Sequence, residues 1–177
     1  KVGNLVIAAN CGYTYTVANS ALQYLGAGES KIDTFTITAV DGSTKSVSFT
    51  IAGANDGAVI GTPSVASVTE DVAVNGSNNL VATGTISISD ADQNQASFST
   101  TVSGTGKVGN LVIAANCGYT YTVDNSAGQY LGAGESKIDT FTIPAVDGCT
   151  KRVSFKNAGA NHGSVLGTPS AASVTEH

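Results

Sequence analysis

The acidic residues with the best spacing for chemistry fall in pairs at the ends of predicted strands. Carboxylates two positions apart in a loop can share one hard cation, and Ca²⁺ takes roughly six to eight oxygen ligands in such loops. The pairs therefore predict Ca²⁺ sites between domains. The alternative is that they are ordinary turn residues, since Asp and Asn favour turns in any case. The candidate metal ligands are Asn55 and Asp56, Glu70 and Asp71, and Asp90 and Asp92.

The expected strand directions decide which of these pairs lie together. In a β-sandwich whose strands alternate in direction, the loop carrying Asp90 and Asp92 lies at the end that receives the preceding linker. We therefore expect these two carboxylates beside Asp56. The pair Glu70–Asp71 is expected at the opposite end, near the next linker. That end is the weaker candidate, because His162 occupies the position that matches Asp56.

Enzymatic interpretations find little support. The segment Gly104–Gly109 satisfies G-x-G-x-x-G, but a strand follows it, whereas a dinucleotide site requires a helix. His162 and His177 are the only histidines, and neither has a recognisable triad partner. Asp90 and Asp92 lack the aromatic platform that accompanies carboxylates in sugar hydrolysis. The sequence therefore predicts a protein that is not an enzyme.

Three cysteines are present, Cys11, Cys117 and Cys149, without the C-x-x-C spacing of metal or redox motifs. Cys11 and Cys117 occupy equivalent turn positions. We interpret all three as solvent-facing turn residues. A Cys117–Cys149 disulfide between two turns is the alternative.

The composition limits the classes of partner. Charged residues make up 12% of the chain, and the net charge of −5 gives a sequence pI near 4.7. Nucleic acids and anionic membranes require basic patches, so neither is an expected partner. No apolar run approaches the roughly 18 residues of a membrane span, and no signal peptide is visible. Because Lys1 is not an initiator residue, we expect an excerpt or a processed product.

Internal repetition organises the chain. Lys1 aligns with Lys107, an offset of 106 residues, and 1–71 then match 107–177 at all but about a dozen positions. One period has the size of a single β-sandwich domain. The predicted division is 1–56 as the C-terminal part of one repeat with strands D to G, 57–162 as one complete repeat, and 163–177 as the first strand of a following repeat.

Residue alternation within the repeat predicts strands. Asn110–Val123, identical to Asn4–Val17, consists of an apolar run and an alternating Tyr/Thr run joined at Asn116–Gly118. We expect strands D and E here, with Gly118 adopting a positive φ in the tight turn. The remaining predicted strands are A at Val65–Thr69, B at Leu80–Ser89, C at Ala96–Ser103, F at Ile138–Val146 and G at Val153–Ala158.

Seven short strands with frequent turn signals are typical of an immunoglobulin-like sandwich. The predicted fold class is therefore all-β, as immunoglobulin- or cadherin-like seven-stranded β-sandwich repeats in tandem. The helical content should be close to nil. Only Asn125–Leu131 is expected to form a short helical turn, capped by Asn125 or Ser126 and closed by Gly132.

The second copy departs from the first at positions where the change should destabilise it. One change places a proline in strand F, and two remove apolar side chains, one of them from a position of strand G expected to face the core. The replacements are Thr38 by Pro144, Ile51 by Asn157 and Leu22 by Gly128.

Four segments of the repeat resemble the VCBS repeat family: Gly12–Ser20, Tyr24–Lys31, Asp33–Ile37 and Gly53–Asp56, each repeated one period later. The resemblance covers essentially the whole chain. It implies cadherin-like tandem modules of large, type I-secreted bacterial adhesins, located outside the cell or at the bacterial cell surface. It also implies Ca²⁺-stiffened junctions and a role in adhesion or biofilm matrix. By likeness to cadherin-type junctions, Asp56, Asp90, Asp92 and Glu70 would bind the Ca²⁺.

This chain departs from the family pattern where His162 and His177 replace acidic residues, and at the turn cysteines. The alternative function is a ligand-binding module, for example a carbohydrate-binding sandwich. Such a module usually exposes Trp or Tyr, whereas this chain has no Trp and its paired tyrosines alternate as core residues.

The two ends of the chain suggest a partner. Residues 1–56 contain only strands D to G, and 163–177 contain only a strand A. One hypothesis is that 163–177 adds a strand to the incomplete sandwich of another copy, which would build a fibre. The alternative is that these residues belong to a longer continuous chain, in which the neighbouring repeats are the partners.

Overall fold

The computed structural model describes residues 1–104 and 107–168, and within them the chain is all-β, as predicted. Two short 3₁₀ turns, Asn19–Ala21 and Asn125–Ala127, are the helical elements of these residues, and neither is long enough to cross a membrane. The strands are β1 (Asn4–Ile7), β2 (Tyr13–Thr16), β3 (Ser30–Thr38), β4 (Thr44–Ala52), β5 (Val59–Ile60), β6 (Ser67–Thr69), β7 (Asn79–Thr85), β8 (Ile88–Ser89), β9 (Asn110–Ile113), β10 (Gly118–Asp124), β11 (Ser136–Pro144) and β12 (Thr150–Ala158).

Residues 57–162 form two small sheets that enclose one core. The first has the order β7-β10-β9, and the second has the order β11-β12-β6. All pairs are antiparallel except β6 with β12, which run parallel. A further antiparallel pair joins β5 to β8. The predicted strand A corresponds to β6, beside strand G, and the preceding β5 lies beside strand B.

The core of this unit is built around an aromatic cluster. Tyr121, Phe141 and Phe155 are completely buried. The Tyr121 ring stacks on Phe155 at a centroid distance of 4.5 Å, and the Phe141 ring meets both edge-on. Burying three rings of this size removes a large apolar area from water and adds favourable ring–ring contacts.

A buried aspartate fixes one end of this cluster. The Asp139 carboxylate accepts hydrogen bonds from the backbone N–H groups of Val108 and Gly109 and from the Tyr121 hydroxyl, at 3.0, 2.6 and 2.8 Å. Burial and the adjacent carboxylate raise the pKa of the Tyr121 hydroxyl, which keeps it a donor. The chain entering β9 is therefore attached to the middle of β11.

Residues 1–56 form two strand pairs equivalent to β9–β10 and β11–β12 of the second unit, but the inner face of these pairs is open. β1 pairs with β2, and β3 pairs with β4. Tyr15 stacks on Phe49 at 4.4 Å, as its counterpart does in the second unit. Yet Tyr13 is 66% exposed, whereas the matching Tyr119 is 4% exposed. The inner face is an open apolar groove lined by Leu5, Ile7, Tyr13, Ile37, Val47 and Phe49.

Strands A to C differ from the prediction. Strand A starts earlier, at β5, and is interrupted before β6, while strand B is interrupted between β7 and β8. The predicted strand C is wrong: Ala96–Ser103 contains no regular strand and forms only two isolated bridges to the β11 side, Phe98 to Ala145 and Ser103 to Thr142. Its single deeply buried apolar side chain is Phe98, so packing anchors this edge at one point.

The hairpin and helical turns also differ in detail. Cys11 and Cys117, rather than the following glycines, adopt the positive φ of 67°. The side chain of the preceding Asn116 accepts a hydrogen bond from the Gly118 N–H, which closes the turn without a glycine at the left-handed position. The second 3₁₀ turn is capped by Asp124, whose carboxylate accepts from the Ser126 N–H at 2.9 Å, and not by Asn125 or Ser126.

The cysteines are free thiols, so the alternative Cys117–Cys149 disulfide is not formed. Cys11 is exposed, as expected. Cys117 and Cys149 are half-buried and pack against the core, so their interpretation as solvent-facing residues is wrong. Of the predicted trailing strand in 163–177, residues 163–168 form no regular element, and the remainder, with His177, lies outside the described residues.

Two of the replacements in the second copy line one small internal gap. Asn157 is 5% exposed and faces the core, as expected from the alternation of strand G. Its Oδ1 lies 2.9 Å from the Tyr121 hydroxyl oxygen, whose one hydrogen is donated to Asp139, and its Nδ2 has no partner within the described residues. Gly128 borders the same gap, together with Glu70. Pro144 is the last residue of β11, and its carbonyl accepts a hydrogen bond from the Ser99 N–H at 2.9 Å.

We predict that Asn157→Ile raises the free energy of unfolding by about 1–3 kcal/mol, because it removes an unpaired buried N–H group and fills the gap. Tyr121 retains Asp139 as its acceptor. Thermal melting measures the change. Lys156→Ile, on the exposed face of the same strand, is the matched control and should be nearly neutral. A melting temperature that Asn157→Ile leaves unchanged or lowers would contradict this account of the core.

Candidate functional site

Three segments meet at the junction of the two units of the chain. They are the linker Gly53–Gly57 after β4, the loop 90–95 after β8, and residues 24–26 of the first unit. The Gln93 N–H donates to the Tyr24 carbonyl at 2.9 Å, which joins this loop to the first unit. A Cβ on Gly26 would lie only 3.4 Å from the Asp92 carboxylate, so the loop and the first unit are in close contact. The structure therefore brings the predicted Asp56 and Asp90–Asp92 region together.

Asp92 is the centre of this junction. Its side chain is 2% exposed, and its Oδ2 accepts from the Asp56 N–H at 2.8 Å. Asp90 Oδ1 accepts from the Asp92 N–H at 2.9 Å. The second oxygens, Asp90 Oδ2 and Asp92 Oδ1, are buried and have no hydrogen-bond partner among the described residues. Buried carboxylate oxygens without donors are costly, so these two are the candidate metal-binding atoms of the junction.

The linker residues lie at the rim of this junction. Asp56 is half-buried, whereas Asn55 is exposed and donates from Nδ2 to the Asp56 carbonyl at 3.2 Å. The sequence interpretation missed Asp147, in the turn between β11 and β12. Asp147 Oδ2 accepts from the Ala58 N–H at 2.9 Å and so attaches this turn to the end of the linker. Only its place in a hairpin turn could have marked it.

Hydrogen bonding sets the ionisation of Asp147. Burial alone raises the pKa of this carboxyl, but hydrogen bonds from the thiol and N–H of Cys149 and from the Ala58 N–H outweigh burial. The pKa of Asp147 therefore lies below its ordinary value, and the charged form is the one that holds the linker.

The other predicted pair lies at the opposite end of the second unit, as expected. Glu70 is 1% exposed, and its Oε1 accepts from the Ala160 N–H at 2.7 Å and lies 2.9 Å from His162 Nε2. Its Oε2 is buried without a partner in the described part of the chain. The imidazole of His162 thus occupies one side of this carboxylate.

Two side-chain amides donate hydrogen bonds to the Asp71 carboxylate. Its Oδ1 accepts from Asn125 Nδ2 at 2.7 Å and from Gln129 Nε2 at 3.0 Å. These two bonds, the Asn125 bond foremost, hold the pKa of Asp71 below its ordinary value. Asp71 therefore closes the loop after β6.

The donor sets differ in their fit to a cation. Residues 1–104 and 107–168 contain no group of three or more His, Cys, Asp or Glu side chains arranged around one point. The Asp90–Asp92 pair nevertheless presents two unpaired, buried carboxylate oxygens beside the linker. An all-oxygen pair of this kind fits a hard cation such as Ca²⁺ if carbonyl oxygens or water complete its shell. At the other end, one oxygen of Glu70 is unpaired, and the imidazole of His162 adds a nitrogen donor that Ca²⁺ does not favour.

Neither a comparison with protein-family models nor one with curated protein sequences finds a match. Among solved structures, the chain aligns with the sialic acid binding region of the Streptococcus sanguinis SK1 adhesin bound to 3'sLn, at a TM-score of 0.38 and 15% identity. That alignment covers 90% of this chain and 37% of the adhesin chain. Domains 4 and 5 of the S-layer protein SbsC align at a TM-score of 0.34 and 14% identity, over 90% of both chains. Likeness at this level assigns no function.

We predict that Asp147→Asn lowers the melting temperature at pH 7, and that the difference from the parent chain closes as the pH falls. Because the folded-state pKa of Asp147 is depressed, its stabilisation is present above the unfolded-state pKa and is lost as pH falls through the folded-state pKa. Melting curves between pH 7 and pH 2 measure this. A difference that is the same at every pH would show that the charge of Asp147 does not hold the linker.

Proposed function

We propose that this chain is a non-catalytic structural part of an extracellular bacterial adhesin or fibre, composed of VCBS-type, cadherin-like sandwich repeats with a Ca²⁺ site at the junction between them. The observation that carries the proposal is the pair of buried, unpaired oxygens Asp90 Oδ2 and Asp92 Oδ1 beside the linker. Such oxygens are destabilising unless a cation neutralises them.

The position of the pair explains what a bound ion would do. Asp92 already holds the Asp56 N–H, and its loop contacts the first unit through Tyr24. A cation held by Asp90 and Asp92 would join the linker to the loop of the second unit through charge as well as hydrogen bonds. Ca²⁺ would thereby limit bending between units, a property suited to a long extracellular structure.

The two ends of the second unit would then differ. At the Glu70 end, His162 replaces the aspartate found at position 56 and pairs directly with the carboxylate at 2.9 Å. We therefore assign Ca²⁺ to the Asp56, Asp90 and Asp92 end, and a metal-independent contact to the Glu70 and His162 end.

The repetition supports a structural role. Tyr119 and Tyr121, the tyrosines repeated in both copies, are 4% and 0% exposed in the second unit, so they build the core there and are not available to stack on a sugar. Repetition of nearly identical sequence suits a role in length and stiffness better than it suits one specialised binding site.

We predict that millimolar Ca²⁺ raises the melting temperature, because an ion that binds only the native state stabilises it by about 2.7 kcal/mol at a hundredfold excess over Kd. Substituting both Asp90→Asn and Asp92→Asn should abolish this response.

Asp41→Asn is the matched control, because Asp41 lies in an exposed turn of the first unit and its carboxylate accepts from the N–H and hydroxyl of Ser43. Its Ca²⁺ response should equal that of the parent. Melting curves that are identical in Ca²⁺ and in chelator for the parent chain would refute the calcium site.

A further inference from the structure

We propose that the outer face of the β11-β12-β6 sheet binds an acidic polysaccharide that carries carboxylate groups, through Arg152 and Lys156. Both residues lie in β12, and both side chains are exposed. The residues that alternate with them in this strand are buried against the core, so the two cations share the opposite, outward face. This face is separate from the Asp90–Asp92 pair and goes beyond the structural role proposed for the chain.

Comparison of the two copies shows how this charge arises. Between residues 1–71 and 107–177, only two replacements introduce Lys or Arg. They are Ser46 by Arg152 and Thr50 by Lys156. Both fall on the same strand and on the same face of it, four residues apart. The second copy therefore gains a localised pair of cations on a surface that is uncharged in the first.

The protein does not neutralise these two cations. The chain has a net charge of −5, yet neither side chain forms a salt bridge within the described residues. Strands β6, β11 and β12 contain a single acidic residue, Asp139, and its side chain is buried on the inner face. Arg152 and Lys156 are therefore free to bind an external anion.

Hydroxyl groups surround the two cations. Ser154 lies between them in the strand, and its Oγ is 3.1 Å from the Thr140 Oγ on β11. On the other side of β12, the parallel β6 places Ser67 beside Lys156. Hydroxyl groups both donate and accept hydrogen bonds, which suits the hydroxyls of a sugar. The guanidinium of Arg152 adds a planar pair of donors that matches a carboxylate.

The shape of the face favours a polymer. Side chains four residues apart in a strand start about 13 Å apart, at about 3.3 Å per residue. Carboxylates on successive units of a polysaccharide can span this distance along an open sheet. Duplex nucleic acid is a poor match, because it carries one charge per roughly 1.7 Å and the net negative charge of the chain repels so dense a polyanion.

The test measures binding of the full chain to hyaluronate, which carries one carboxylate per disaccharide, in chelator and over a range of NaCl concentrations. We expect binding that weakens as the salt concentration rises. Arg152→Ser combined with Lys156→Thr restores the residues of the first copy. This double substitution should weaken binding by about tenfold or more, because it removes both charge-assisted contacts.

Two control variants use the first unit. Lys1→Ser combined with Lys45→Thr removes the same charge from exposed positions there and should leave binding unchanged. Ser46→Arg combined with Thr50→Lys copies the cationic pair onto β4, which already carries the Thr34–Ser48 hydroxyl pair at 2.9 Å, and should add a second site. Because all these positions are exposed, melting curves of the variants should match that of the parent.

Several outcomes would overturn the inference. The parent chain fails to bind hyaluronate, or the Arg152→Ser and Lys156→Thr variant binds it as well as the parent does. Uncharged dextran competes as well as hyaluronate, or duplex DNA binds more tightly. Salt-sensitive self-association without polysaccharide would identify an acidic surface of another copy as the partner. Because binding is measured in chelator, none of these results depends on the calcium site.

Discussion

The inner face of each β-sheet must be covered, and this constraint governs the whole molecule. Asn4–Val17 and Asn110–Val123 have the same fourteen residues, yet the tyrosine at the start of strand E is 66% exposed in the first segment and 4% exposed in the second. Local sequence forms the hairpin in both places. Only the presence of residues 58–102 over the second copy turns the same hairpin into part of a closed core.

The sequence predicted strands D to G well, because their alternation is strong and one face is apolar. It located strands A and B, but it missed β5, which precedes the predicted strand A and pairs with β8, and the break between β7 and β8. The predicted strand C is wrong, because that segment is held by one deeply buried apolar side chain, Phe98, and by isolated bridges. A segment held in this way has no continuous alternation to detect. The positive φ of Cys117 was also missed, because the next residue, Gly118, is of the type that most readily adopts this conformation.

The residues of the candidate site were likewise predicted only in part from the sequence. Spacing and strand direction were enough to expect Asp90 and Asp92 beside the linker, where the structure places them. They were not enough to identify Asp139, which holds Tyr121 and the chain before β9, or Asp147, which holds Ala58. Those roles depend on contacts between residues 18 to 89 positions apart, and single-sequence patterns carry no such information. The proposal of Ca²⁺ at the junction rests on the unpaired, buried oxygens of Asp90 and Asp92, and their burial depends on the fold rather than on local sequence.

Hydrogen–deuterium exchange on the intact chain, at a concentration where it is monomeric, tests the claim that coverage alone separates the two copies. Peptides spanning 13–22 and 119–128 differ in mass through Ala18/Asp124 and Leu22/Gly128, so they can be followed separately. The account predicts slow exchange for Tyr119–Val123 and much faster exchange for Tyr13–Val17, because protection follows the opening free energy of each segment. Equal protection of the two segments in the monomer would contradict it.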